Sequence, residues 1–159
     1  MIHPALTTST RALDFHVPGA PAPQGSKRQV NGHFIEANKR TRPWRALVRD
    51  AAEEAKEAQN VITFTGPVGA YLTFFKARPK AHYYTGKNAE VLREDAPFYV
   101  TTKPDVDKLT RAIFDALTDA QVFRDDSQVA ELHVRHLFAD RDNQHFASGG
   151  VSVTVVPIQ

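Results

Sequence analysis

Asp105 and Asp107 stand two residues apart in the run Lys103-Pro104-Asp105-Val106-Asp107-Lys108-Leu109, and a second acidic pair, Asp125-Asp126, follows in Phe123-Arg124-Asp125-Asp126-Ser127-Gln128-Val129. Six acidic residues in all lie in and around this one helix-forming stretch. Clustered carboxylates supply the hard oxygen ligands that Mg²⁺ demands. In a basic protein the natural anionic group for such a centre is a phosphodiester, which bound metal can activate toward hydrolysis.

Spacing constrains how these groups could meet. Residues two apart do not share a face of a regular helix, but they do in extended backbone. Pro104 biases Lys103 toward extended structure and suits a helix start. The pair is therefore expected to straddle a strand-like entry and a helix N-terminus, where free N–H groups and the helix dipole favour anions. A helix over 105–118 rises roughly 20 Å, and an extended 119–126 segment spans about 26 Å. The chain can thus return along the helix and set Asp125 or Asp126 beside Asp107; the geometry permits this cluster without requiring it. Each residue also has a purely structural reading. Asp105 reads as an N-cap, Asp107 as a dipole partner paired with Arg111, and Asp125-Asp126 as a polar turn before a strand.

The elements that must position these groups are legible from periodicity. Alternation over Leu13–Val17 predicts a strand, and Pro18–Ser26 a loop. His33–Ile35 reads as a short strand. Thr41 is expected to cap a helix running to about Gln59, with Pro43 in its first turn and Trp44, Leu47, Val48, Ala51, Ala52 and Ala55 on its apolar face. A strand at Val68–Lys76 and a long connection over 77–103 follow. The next helix begins near Asp105 or Val106 and ends near Leu117, burying Leu109, Ala112, Ile113, Ala116 and Leu117. Strands over Gln128–Phe138 and Val151–Val156 complete the order β, β, α, β, α, β, β. The fold class is α+β or mixed α/β, one small domain over residues 1–159 with a mixed sheet and two main helices. Residues 1–12 form a short lead-in without the long apolar core of a secretory signal.

Composition narrows the class. The chain has no cysteine, so disulfides and thiolate metal sites are excluded. No apolar run approaches the ~18 residues of a membrane span. The net charge is only +2, yet it is segregated. Residues 1–50 carry eight Lys/Arg against three Asp/Glu, whereas residues 104–145 carry five against nine. A basic face beside an acidic pocket suits an enzyme that grips a polyanion and cuts it with metal. Segregation across a solvated surface gives the same count. No nucleotide-binding phosphate loop and no Ser/His/Asp arrangement emerges. His133 and His136 fall on opposite faces of one predicted strand, which argues against zinc.

The ordered set Lys103–Leu109, Phe114-Asp115-Ala116-Leu117 and Asp125–Val129 strongly resembles the RusA family of Holliday-junction resolvases, whose pattern is approximately K-P-D-x-D-N-L-x-K, D-A-L and D-D-x-Q-[VI]. The Gly19–Arg28 loop and the segment Lys80-Ala81-His82-Tyr83 extend the likeness over most of residues 15–138. The resemblance implies a homodimeric, Mg²⁺-dependent endonuclease, with Mn²⁺ able to substitute, that makes paired nicks in four-way DNA junctions during recombination and repair. It implies bacterial or phage origin and action in the cytoplasm. By motif position Asp105, Asp107 and Asp126 correspond to the family's catalytic and metal-binding acids, with Asp125 a further candidate ligand. Two positions depart from the pattern: Lys108 stands where Asn is usual, and Arg111 where a catalytic Lys is usual. Arginine can clamp a phosphate and stabilise charge but hardly deprotonates, so Arg111 is expected to keep an electrostatic catalytic role. Lys108 lies three residues away on the same helix surface.

Lys103, Lys108, Lys27, Arg28, Lys80, Arg40 and Arg42 are the expected DNA contacts, with Lys39, Lys76 and Arg78 as further phosphate partners. Tyr83, Tyr84, Phe98 and Tyr99 could stack on opened bases. The competing readings are a non-catalytic structure-specific DNA-binding protein and a metal-dependent nuclease of other branched nucleic acids.

Overall fold

Leu13, Phe15 and Val17 are buried while the residues between them are exposed, and this period of two builds β1 (Leu13–Pro18) with one face on the core. The same alternation recurs in β6 (Gly150–Pro157), where Val151, Val153 and Val155 are buried, and in β4 (Val68–Ala77) through Ala70, Leu72 and Phe74. The structure is a computed structural model that describes residues 11–25, 27–36, 38–141, 143 and 145–159. Most of the expected lead-in, residues 1–10, lies outside these, as does Ser26 of the first loop.

Four strands form one mixed sheet in the order β1-β6-β4-β5. β1 and β4 pair antiparallel with β6, and β4 pairs parallel with β5 (Val129–Ala139). The core lies between the sheet and two helices, α1 (Thr41–Gln59) and α2 (Val106–Asp119). This is a small α+β domain with a mixed sheet and two helices, as the sequence leads one to expect.

Local outcomes refine the expectations. Lys27–Val30 forms an additional strand, β2, hairpinned to β3 (His33–Glu36) as a separate two-stranded sheet. Asn31 (φ 49°) and Gly32 (φ 79°) make its turn in the left-handed region that tight hairpins require. Thr41 is not the cap of α1. Arg40 occupies that position without a side-chain hydrogen bond, and the Thr41 hydroxyl donates to the Pro23 carbonyl at 2.6 Å. Leu47, expected on the buried face, is exposed. α1 ends at Asn60 in left-handed conformation (φ 56°).

The long connection over 78–105 is tied down. Arg93 N–H donates to His82 O at 2.9 Å and Tyr84 N–H to Val91 O at 3.0 Å. Val100 N–H donates to His136 O at 2.9 Å, and Phe138 N–H to Phe98 O at 3.1 Å. Residues 98–100 thereby cover the C-terminal part of β5's outer edge and lead the chain to α2.

Candidate active site

Asp105 has extended backbone (φ −71°, ψ 141°) and is the N-cap of α2, with Asp107 in the first helical turn. The expected straddle of a strand-like entry and a helix start is therefore present. Asp105 makes no capping hydrogen bond with its side chain, although its carbonyl accepts from Leu109 N–H at 3.0 Å. Both carboxylates are exposed, and among the described residues neither is engaged by a hydrogen bond or ion pair. The Asp107–Arg111 pair allowed by spacing does not form.

The helix entry opens into a cleft of about 530 Å³ at the C-terminal ends of β4 and β5. Arg40, Lys76, Lys103 and Lys108 line it beside Asp105, so four cations meet one carboxylate. Lys76 Nζ donates to the Lys103 carbonyl at 3.0 Å and to Thr102 Oγ1 at 3.3 Å, which fastens the segment entering α2. Such a cleft focuses positive potential where a phosphate would approach the acids.

His136 also lines the cleft, packed edge-to-face on Phe74 with ring centroids 6.3 Å apart. Burial, and next the Lys76 charge, hold its pKa below the ordinary value and keep the imidazole neutral. The periodicity of β5 marks it as a packed residue. Its place in the cleft depends on α2 starting opposite the strand's end, which no local pattern encodes.

The loop over residues 19–25 straps the site. Gln24 N–H donates to Lys108 O at 3.0 Å, and the Gln24 amide donates to the Asp115 carboxylate. Gly25 (φ 110°) lies against Arg111, where an added Cβ would stand 3.0 Å from Nη1. Glycine is favoured there by its backbone angle. Arg111 itself is solvent-exposed.

The second acidic pair is elsewhere. Asp125 caps a 3-10 turn, Asp126–Gln128: its carboxylate accepts from Ser127 N–H at 2.8 Å while the Gln128 side chain reaches back to the Asp125 N–H. These hydrogen bonds from Ser127 hold the Asp125 pKa below the usual carboxylate range. The spacing D-x-x-Q is a capping box that the sequence displays openly. Asp126 is exposed and precedes the start of β5, where Val129 sits opposite Val68. Asp105 lines the cleft with His136, seven residues further along β5. At ~3.3 Å per residue the strand from Val129 to His136 spans roughly 20 Å, so Asp126 and Asp105 lie toward opposite ends of β5. The 119–126 segment does not travel back along α2; β5 makes that return. The segment turns at once, with Val122 N–H donating to Leu117 O at 2.9 Å and Phe64 N–H to Val122 O at 2.9 Å. Among the described residues no three His, Asp or Glu side chains gather closely enough to hold a metal.

The basic candidates separate likewise. Lys27 and Arg28 are exposed on the β2–β3 hairpin, Lys80 lies in a 3-10 turn, and Arg42 is on the outer side of α1. Arg78 is buried, paired with Asp140 at 2.9 Å, donating to Pro97 O at 2.7 Å and lying over Phe138. It is a structural clasp and not a phosphate ligand. Tyr83 is buried beneath Arg141, whose guanidinium lies 4.0 Å from its ring, and so is unavailable for stacking. Phe98 and Tyr99 are exposed and remain open to a partner.

The model of the family "Endodeoxyribonuclease RusA" matches residues 18–154, from the end of β1 into β6 and so over most of the chain. The chain belongs to the RusA endodeoxyribonuclease family. It is also similar to the uncharacterised protein YqaN of Bacillus subtilis (strain 168), with 30% identity over 134 residues, 80% of this chain and 89% of YqaN. The RusA match takes in the cleft, both acidic pairs and the open end of β5. No helix among the described residues is long and apolar enough to cross a membrane.

Proposed function

We propose that the protein is a homodimeric, Mg²⁺-dependent endonuclease that resolves four-way DNA junctions by paired symmetric nicks, in recombination and repair. The observation that carries this reading is a pair of exposed carboxylates at one helix N-terminus, neither paired among the described residues, with Asp105 lining a cationic cleft and Asp107 in the first helical turn, in a chain of this family.

The donor set fits the metal. Mg²⁺ is held by one or two carboxylates together with waters and substrate phosphate, and Asp105 with Asp107 supplies such a pair; Mn²⁺ accepts the same ligands. Bound there, the ion would activate water and offset charge on the phosphorane-like transition state. The chain's own residues do the rest. Lys103, Lys108 and Arg40 orient the phosphate, and Arg111 stabilises developing charge from the next turn of α2. Asp126 stands too far away in its own chain, so a centre that uses all three acids takes Asp126 from a second copy. Two-fold symmetry would then set one such centre on each of two opposed junction strands. The fold forms one domain acting in the cytoplasm of a bacterium, whether encoded by the host or by a phage.

The test is a fixed synthetic four-way junction incubated with Mg²⁺ or EDTA. Paired nicks that need both Mg²⁺ and Asp107 are expected, with Asp107→Asn inactive. Mixing Asp107→Asn with Asp126→Asn protein should restore about a quarter of wild-type nicking, because half of the random dimers hold one intact centre of two. Tight junction binding without cleavage by the wild type, across several sequences and with Mn²⁺ also tried, would instead establish a non-catalytic binding protein. Equal cutting of flaps or RNA would point to a general branched-nucleic-acid nuclease.

A further inference from the structure

β5 is the last strand of the sheet, and its outer edge is only partly covered. Residues 98–100 pair with its C-terminal part, accepting from Phe138 N–H and donating to His136 O. Alternation along the strand therefore points the backbone N–H and C=O groups of Leu132 and Val134 outward as well. Among the described residues nothing pairs with them. Open edges template the addition of another strand, and natural proteins seldom leave one bare beside apolar side chains. Here Leu132 is 45% exposed and Tyr71 is 40% exposed, with Phe98 and Tyr99 exposed further along the same edge.

The side chains select the partner. Glu131, His133 and Arg135 are spaced at twos on one face, with opposite charges on either side of His133. An antiparallel copy of the same strand centred on His133 brings Glu131 opposite Arg135 twice. Leu132 then faces Val134 as a hydrogen-bonded pair, which matches the outward direction of their backbone groups. Centring the strands on Glu131 would oppose like charges. We propose that two copies of the chain associate through the Glu131–Arg135 edge of β5, antiparallel about His133, joining the two sheets into one.

This rests on the homodimer reading above and gives it a register. The antiparallel arrangement runs the start of each β5 toward the end of its partner strand. The partner's Asp126 is thereby carried toward the end of the sheet where Asp105 lines the cleft and Asp107 follows in the first turn of α2.

Sedimentation of the full chain without DNA or metal tests the surface. The wild type should be a dimer. Glu131→Arg and Arg135→Glu, each at an exposed site and each keeping the wild-type circular dichroism, should raise the dimer Kd at least about tenfold by opposing like charges. An equimolar mixture of the two variants should recover dimers, because every cross-strand charge pair is then complementary. A monomeric wild type, single variants that dimerise as tightly as wild type, or a mixture no tighter than its components would each overturn the proposal. Junction cleavage is read separately. A charge-dependent dimer that cuts no junction sinks the resolvase reading and leaves the interface standing, whereas cleavage by a dimer indifferent to these reversals does the opposite.

Discussion

Arg111 departs from the family pattern in a way that changes the available chemistry. A lysine at this turn of α2 could both neutralise charge and give up a proton, whereas a guanidinium stays protonated and offers fixed donors. Gly25 of the strap lies beside Arg111, which sits one helical turn beyond Asp107 on α2. We predict that Arg111→Ala slows cleavage of prebound junction by about 10²-fold, the usual scale for losing one transition-state donor, while junction affinity falls far less. Single-turnover rates beside gel-shift affinities separate the two effects, and an unchanged rate would remove Arg111 from the catalytic group. The individual acids were unequally legible in the sequence. Asp105 and Asp107 announce themselves through Pro104 and the apolar period that follows. Asp125 and Asp126 read as alternatives, and the D-x-x-Q box was the available sign that Asp125 is committed to a cap. The distance from Asp126 to the pair was not legible, because it depends on where the chain turns after Leu117.

Among the elements, α2 and β5 carry the site between them. α2 is anchored by Leu109, Ile113 and Leu117, all fully buried under the sheet. Truncating Ile113 to Ala should destabilise the fold by about 2–5 kcal/mol through lost transfer energy and a residual cavity, read as a lower urea midpoint at unchanged slope. The end of β5 supplies a pH dependence. His136, and His82 in the packed connection, both titrate below the ordinary 6.5, each held down first by burial and next by a neighbouring cation. Depressed folded values mean that the unfolded chain takes up protons first. Their contribution is complete above pH 6.5 and is lost as pH falls through the folded values. The Tm should therefore drop on acidification from neutrality, and the His136→Gln variant should show a shallower drop. A His136→Gln profile parallel to wild type would refute this assignment. Periodicity found every strand of the main sheet, but β2 escaped because Lys27-Arg28-Gln29-Val30 has no apolar alternation, and both its faces are exposed. Only the Asn31-Gly32 turn advertised the hairpin.

At the scale of the molecule, charge segregation in the sequence becomes geography. Three of the N-terminal cations fall in two separate places. Arg40 lines the cleft with Lys76, Lys103 and Lys108, while Lys27 and Arg28 sit on the hairpin, outside the main sheet. The two sets should do different things to DNA. On the proposed function, cleft cations should act at the phosphate to be cut. Hairpin cations, with exposed Phe34 beside them, should add salt-sensitive contact that does not depend on sequence. Replacing Lys27 and Arg28 together with Ala should weaken junction and linear duplex by similar factors. It should also lower the slope of log K against log salt by up to about 2, since each phosphate contact on duplex contributes about 0.9. Titrations at several salt concentrations, with junction and duplex in parallel, measure both quantities. An unchanged slope would mean that the hairpin does not touch phosphate. A slope that falls for the junction alone would make the hairpin a reader of branching, leaving the cleft to hold the strand that is cut.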